Sequence, residues 1–359
     1  MQKQHSSKNL QVSERPRNRR SALSAKRGLA VIGAVTTAAL IAACGGSAIS
    51  GAGTANNSQE LRPSFRPVTY TNCGVTVTVK KPLTRAVSLN QGATELMLTL
   101  GLQKRMVGTA YLDDQVLPSL KQAYDSVPVL SKEYPSEEKF LSVNPDFAIS
   151  SYISAFSPKE GVASRSSLGQ LGIATYITPD GCPGLNESKP WTFQDDFNEI
   201  SQIGGLFGVQ NKADQVIAAQ RAALKRAGQG QPGRGVRILW WDSETKTPYI
   251  GVGDGGPALV MRSVGATNVF ASVKGDWQSI DWEKVVATNP DVIVLVNASW
   301  DTLASKLKFI EHNPALQSLS AVKHHRFVVI PFSDSTPGVR NVDGVQLLAD
   351  GLRKLHLKR

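Results

Sequence analysis

The feature that most restricts what this chain can fold into is a short segment used twice. Glu138-Lys139-Phe140-Leu141-Ser142-Val143-Asn144-Pro145-Asp146 returns 145 positions later as Glu283-Lys284-Val285-Val286-Ala287-Thr288-Asn289-Pro290-Asp291, with five of nine residues identical. Proline disfavours helix in the residue before it, so each copy reads as a short helix stopped at Asn-Pro-Asp. An apolar run of strand length follows both copies, FAIS at 147–150 and VIVL at 292–295. A looser pair relates GATELMLTLG (92–101) to GPALVMRSVG (256–265). One helix-turn-strand unit used twice predicts two similar lobes facing a shared cleft.

The rest of the pattern fits that reading. Strand-length apolar runs fall at 86–89, 106–109, 147–150 and 174–177, then at 236–241, 249–252, 292–296 and 327–331. Helical patterns at 92–100, 137–143, 257–264 and 282–287 lie between them, the alternation of an α/β fold. Between the halves, Phe193, Phe197, Ile200, Ile203 and Leu206, then Val216, Ile217, Ala219 and Ala223, keep helical spacing. Gly204-Gly205 and Gly208 break this stretch, and GQGQPGRG at 228–235 ends it. The expected fold is therefore two Rossmann-like lobes, 68–192 and 230–359, with mostly parallel sheets. A long rigid helical connection over 193–229 joins them, and the ligand cleft lies between them.

The first 43 residues hold eight of the 40 basic residues against one of the 29 acidic ones, which leaves the remaining chain at +4 rather than +11. That is too little charge to favour nucleic acid. These residues have the form of an export signal: a basic segment ending at Lys26-Arg27, an uncharged apolar stretch over 29–43, and small residues before a cysteine. Leu40-Ile41-Ala42-Ala43-Cys44-Gly45 resembles a lipobox, which makes Cys44 the expected lipidation site and 1–43 a lipoprotein signal peptide. Arg19-Arg20 leaves the general and twin-arginine export routes both open. Residues 44–67 read as a flexible tether. Cys73 and Cys182 then remain as an even pair outside the reducing cytosol, where a disulfide and two separate buried thiols both fit.

Enzymatic readings are weak. Gly251-Val252-Gly253-Asp254-Gly255-Gly256 matches a dinucleotide-binding glycine pattern, but Asp276, the acid about 20 positions on, lies in a loop rather than at a strand end. Ser136-x-x-Lys139 and Ser320-x-x-Lys323 match an acylating-serine pattern without its companion motifs, and Ser136 suits a helix cap. The histidines are His5, His312, His324, His325 and His356, so the first lobe has none and a resident metal is not expected.

The segments at 85–110, 140–150, 168–178, 200–217, 262–270, 281–296 and 313–332 together resemble the extracytoplasmic binding proteins of ABC importers for ferric siderophores, haem and cobalamin. Among these the ferric-dicitrate-binding lipoproteins called FecB are the nearest type. The resemblance covers roughly 70–355 and implies a monomeric, membrane-tethered carrier, not an enzyme and without a cofactor. It would capture a ferric siderophore or citrate-like chelate, or else haem or cobalamin, and deliver it to an ABC permease. A cell-wall-directed serine acyl-enzyme and an envelope scaffold are the alternatives from other classes. In parallel α/β lobes the loops after the strands form the ligand rim. Asn90, Gln91, Tyr111, Tyr152 and Trp191 fall there in the first lobe, and Trp241, Trp277, Trp300 and Arg340 in the second. Arg340 is the expected anion anchor, with Lys274 and Arg165 behind it. The resemblance also implies that Glu138 and Glu283, at equivalent places on the two lobes, dock onto the permease. Simple preference of acids for helix N-termini is the competing reading.

Overall fold

The computed structural model describes residues 65–182, 190–336 and 338–357. The expected export signal, Cys44 and most of the expected tether lie outside the described residues.

The chain enters through an antiparallel hairpin of β1 (Val68–Asn72) and β2 (Val75–Val79). The first lobe carries a five-stranded sheet of β3 (Ala86–Leu89), β4 (Met106–Ala110), β5 (Val129–Ser131), β6 (Phe147–Ser150) and β7 (Ala174–Ile177). Its order is β5-β4-β3-β6-β7 and every pairing is parallel. Residues of β3, β6 and β7 are buried throughout, as strands covered on both faces must be. The second lobe contains β8 (Arg237–Ser243), β9 (Tyr249–Gly251), β10 (Thr267–Asn268), β11 (Trp277–Ser279), β12 (Val292–Asn297) and β13 (Phe327–Pro331). These run β11-β9-β8-β12-β13, with β10 also on β8. The pairs β8–β12, β12–β13 and β8–β10 are parallel, whereas β9 and β11 enter antiparallel.

The repeated segment is built the same way in both lobes. Asn144 and Asn289 both adopt left-handed backbone, with φ of 46° and 39°, and so end the helices Glu137–Ser142 and Trp282–Thr288. An arginine from the adjoining strand start then caps the open helix carbonyls. Arg85 donates to Val143 O at 2.6 Å and Asn144 O at 2.8 Å; Arg237 donates to Thr288 O at 2.6 Å and Asn289 O at 3.3 Å. The aspartate of each turn returns the contact: Asp146 accepts from Arg85 N and Asp291 from Arg237 N, both at 2.9 Å. Each turn thus joins a helix end to a neighbouring strand start and satisfies backbone groups that would otherwise lack partners.

The connection is two helices, Phe193–Leu206 and Gln210–Ala227, broken at the glycines as the sequence pattern implies. Gly208, with φ of 67°, turns the chain between them. A Cβ on Gly204 would lie 2.5 Å from that of Ala213, so glycine permits their close approach. Phe197, Ile200, Ile203, Ala213 and Val216 join the core of the first lobe. The second helix, 18 residues and about 27 Å long, is held from the other lobe by Gln220 donating to Val339 O and Arg353 donating to Ala227 O. No helix among the described residues is long and apolar enough to cross a membrane.

Candidate functional site

The two sheets turn the C-terminal ends of their parallel strands toward each other. After β4, Asp114 accepts from Ser333 Oγ at 3.1 Å, and Ser333 follows β13. Tyr152, after β6, hydrogen-bonds Thr336. Deeper in the cleft, Arg340 of the second lobe forks onto Glu95 of the first, with Nε and Nη2 each 2.5 Å from one carboxylate oxygen. Glu95 also accepts from Gln91 Nε2 at 2.8 Å and from Leu117 N at 3.1 Å. The side chains of the pair are only 7% and 1% exposed, so this is a buried clasp between lobes. Backbone contact accompanies it: a Cβ on Gly338 would lie 2.7 Å from Gly92 Cα.

This clasp changes how the expected site residues read. Arg340 lies in the cleft, but its fork is occupied by Glu95 and Gln115 O rather than open to an anion. Gln91 serves the same cluster, since its Oε1 accepts from Asp114 N at 3.3 Å. Arg165 is buried elsewhere: it donates to Thr175 Oγ1 and Asn72 O, tying the β1–β2 hairpin to β7. Trp241 is a core residue, with ring centroids 4.9 Å from Trp282 and 5.9 Å from Phe309. Trp191 is also buried, its indole donating to Asp196 Oδ1 at 2.9 Å. Lys274 is exposed, and Trp277 is half-buried at the first position of edge strand β11. Trp300 is 41% exposed and stands edge-on to Phe332, at 4.7 Å between centroids. Glu138 and Glu283 are both exposed in the first turns of their helices. Cys73 and Cys182 form a disulfide.

On the first lobe the rim is aromatic and acidic. Tyr111 and Tyr134 pack with centroids 4.6 Å apart, and Tyr111 hydrogen-bonds Glu133. Tyr134 donates to Asn90 Oδ1 at 3.0 Å, and Asn90 also accepts from Ser150 Oγ at 2.8 Å. Asn90 and Tyr111 both hold left-handed backbone, with φ of 74° and 59°. Such conformations persist only where surrounding contacts enforce them. Burial, reinforced by Asp114 and Glu133, pushes Asp113 up to about 6. On the second lobe, Asp242 near the end of β8 is 1% exposed, with Ser243 and the buried ammonium of Lys306 beside it. Burial raises Asp242 to about 6.

Tyr134, Glu133, Glu95, Asp114 and Asp242 were not anticipated from sequence. Glu95 carried a usable signal, because it interrupts the apolar face of a helix that the pattern marks as buried. A buried acid so placed needs a cation, and Arg340 supplies it from 245 positions away.

The alternative chemistries find no support in the geometry. A Cβ on Gly256 would strike Ser335 O and one on Gly255 would strike the Asp276 carboxylate, so this glycine turn is packed against oxygen atoms where a pyrophosphate would need donors. Ser136 caps its helix, accepting from Lys139 N at 3.2 Å. The described histidines are all exposed, and no group of three metal-binding side chains occurs among the described residues.

Residues 87–333 match the model of the periplasmic binding protein family. An ABC transporter substrate-binding lipoprotein of Bacillus subtilis, YvrC, itself uncharacterized, is 26% identical over 287 residues, spanning 77% of this chain and 82% of the relative. A periplasmic binding protein from Veillonella parvula superposes with a TM-score of 0.70 at 32% identity, covering 79% of this chain and 97% of that one. An ABC-type Fe3+-hydroxamate transport system protein from Saccharomonospora viridis gives 0.65 at 25% identity, covering 81% and 98%.

Proposed function

From the premise that this chain belongs to the periplasmic binding protein family, we propose that it captures a ferric siderophore-type chelate outside the cell membrane and delivers it to an ABC importer. Members of this family are substrate-binding proteins of ABC transporters rather than enzymes, and they work with a permease. The observation that carries the ligand reading is the cleft itself: two α/β lobes oppose their strand C-termini, and Tyr111, Tyr134 and Tyr152 stand on one rim. Aromatic walls suit a bulky, partly apolar chelate, and one similar solved structure is described as an Fe3+-hydroxamate system. Haem and cobalamin are the competing cargoes, because their rings would stack on the same walls.

The test is a fluorescence titration of the protein with a ferric trishydroxamate, haem and cyanocobalamin in parallel. Trp277 and Trp300, half-buried and exposed respectively, are the reporters, and a bound ferric chelate quenches them. Saturable quenching by haem or cobalamin alone would replace the ferric reading.

Tethering through Cys44 belongs to the same proposal. Cys44→Ser should release the protein from the membrane fraction, and unchanged membrane association would remove the lipid anchor. Docking through Glu138 and Glu283 is proposed on their matching second positions in the equivalent helices of the two lobes. Exposed ion pairs of this kind set orientation more than affinity.

A further inference from the structure

We infer that the end of the first lobe farthest from the cleft is a membrane-facing surface, which seats on anionic phospholipid headgroups and holds the cleft outward until ligand arrives. This rests on the reading of the chain as membrane-tethered through Cys44 and adds the orientation of the tethered fold.

All five strands of the first-lobe sheet are parallel, so their starts share one end and their C-termini the other. The charges are sorted along that axis. Before β3 stand Lys80 and Lys81, both exposed, and Arg85, whose guanidinium lies on the Val143 and Asn144 carbonyls. Before β4 stand the exposed Lys104 and Arg105, which donates to Leu83 O and Phe207 O and so draws the strand-start loops together. The acids on these loops are already engaged. Asp146 accepts from the backbone N of Thr84 and Arg85 and from the Thr84 hydroxyl, and Asp125 pairs with Lys121 at 2.6 Å. In the first turns of the helix Gln210–Ala227, Lys212 and Asp214 offset each other. The cleft end carries Asp113, Asp114, Glu133, Glu137 and Glu138 instead. Such a lobe turns its positive end toward an anionic surface.

Apolar groups and the path of the chain mark the same end. The Tyr70 hydroxyl donates to Thr175 O and Asn72 Nδ2 to Ile177 O, so β1 runs alongside β7 in the same direction. Arg66 and Val68 therefore lie level with the turn before β7, where Leu171 closes the helix Arg165–Gln170. Leu171 is 59% exposed and Val68 39%. Exposed aliphatic groups among lysines and arginines suit the boundary between headgroups and acyl chains. The chain leading from Cys44 joins the described fold at Phe65 and Arg66, at this end. Its 20 residues from 45 to 64 span at most about 70 Å when extended, enough for the lobe to lift away and present Glu138 and Glu283 to a permease. The strand starts of the second lobe are basic as well. However, no large apolar side chain as exposed as Leu171 occurs there among the described residues, and the tether does not enter there.

The experiment uses the full chain carrying Cys44→Ser, so that no lipid contributes. The probes are vesicles of phosphatidylglycerol with phosphatidylcholine, and of phosphatidylcholine alone. Cosedimentation should show binding to the mixed vesicles only, lost at high salt. Lys80→Glu, Lys81→Glu and Lys104→Glu together should weaken it about tenfold or more, whereas Lys225→Glu, Arg226→Glu and Lys323→Glu, at the strand-start end of the second lobe, should leave it within about twofold. The basic leader is common to all three proteins and cannot produce the difference. A fluorophore on Leu171→Cys should brighten on the mixed vesicles, and one on Lys132→Cys, just after β5 at the cleft end, should not. Equal effects of the two triple reversals, binding without brightening at 171, or brightening at 132 instead would overturn the inference. Fractionation of Cys44→Ser at high salt, where this contact is screened, tests the lipid anchor separately.

Discussion

Replacing Glu95 by glutamine isolates the clasp between lobes. Glutamine keeps the size of the side chain and one acceptor, but it removes the charge that neutralises Arg340. The pair is almost wholly excluded from water, at 7% and 1% side-chain exposure, so solvent cannot substitute for the missing carboxylate. Breaking a buried pair from one side costs about 3–5 kcal/mol. For a protein of this size that lowers the melting temperature by roughly 6–20 °C, at about 2–4 °C per kcal/mol. Removing both partners removes the unpaired cation, although Asp334 then loses Arg340 as its neighbour, so Glu95→Gln combined with Arg340→Met should recover part of the loss. Urea unfolding of the four proteins, followed by circular dichroism, gives the cycle. A single mutant within about 0.5 kcal/mol of the parent would refute the buried clasp. A double mutant as unstable as the sum of the singles would refute the charge-compensation argument. The same single mutant has a second readout: it frees the Arg340 fork, so it should improve binding of ferric dicitrate while it weakens the fold.

Three other outcomes are expected. Burial, opposed in part by a hydrogen bond from Thr178 and assisted by Asp180, raises Glu199 from 4.5 to about 8, so the folded protein holds a proton that the unfolded chain releases. Its contribution is complete below about pH 4.5 and is lost as pH rises through 8, and urea midpoints should show that slope disappear in Glu199→Gln. Reduction of Cys73–Cys182, or Cys73→Ser, opens a crosslink spanning 109 positions and should cost about 4 kcal/mol, seen as a lower urea midpoint. Glu138→Ala with Glu283→Ala should leave ligand affinity and melting temperature unchanged and reduce uptake by cells. Normal uptake would return both residues to helix-end stabilisers.

Periodicity sufficed for the central strands of each lobe, but not for the short strands β5, β10 and β11. The apolar runs at 86–89, 147–150 and 174–177 became strands at those positions, because a buried parallel strand is apolar throughout. The Asn-Pro-Asp repeat also foretold its own turn, since the chemistry lies within nine residues. The β1–β2 hairpin was missed despite its alternating Val and Thr, and its turn at Cys73-Gly74 uses two left-handed residues that only glycine advertises. The site was harder to read, for a physical reason. Loop position assigned Arg340, Arg165 and Trp241 to the rim, yet what a guanidinium or an indole does depends on its partner. Those partners are Glu95 across the cleft, Asn72 in the hairpin, and Trp282 with Phe309 in the second core. None is adjacent in sequence. Tyr111 and Tyr152 were named because aromatic residues directly after parallel strands stand at the rim whatever they pair with.

The hairpin and its disulfide also determine how the fold bears a mechanical load. Tension on the chain ahead of Val68 meets the open end of the hairpin, where Val68 pairs with Val79, and peels β1 from β2 one pair at a time. That is the weak direction for a β-ladder, because bonds break in series rather than together. The peeling stops at Cys73, whose bond to Cys182 passes the force to the chain just beyond β7. Slack is thereby limited to the five residues of β1, about 17 Å of extended chain. Arg165, Asn72 and the Tyr70 hydroxyl anchor the same corner to Thr175 and Ile177. A pull at the N-terminus is therefore carried past the hairpin to the loop after β7, beside Ser151 and Tyr152, rather than through the ladder.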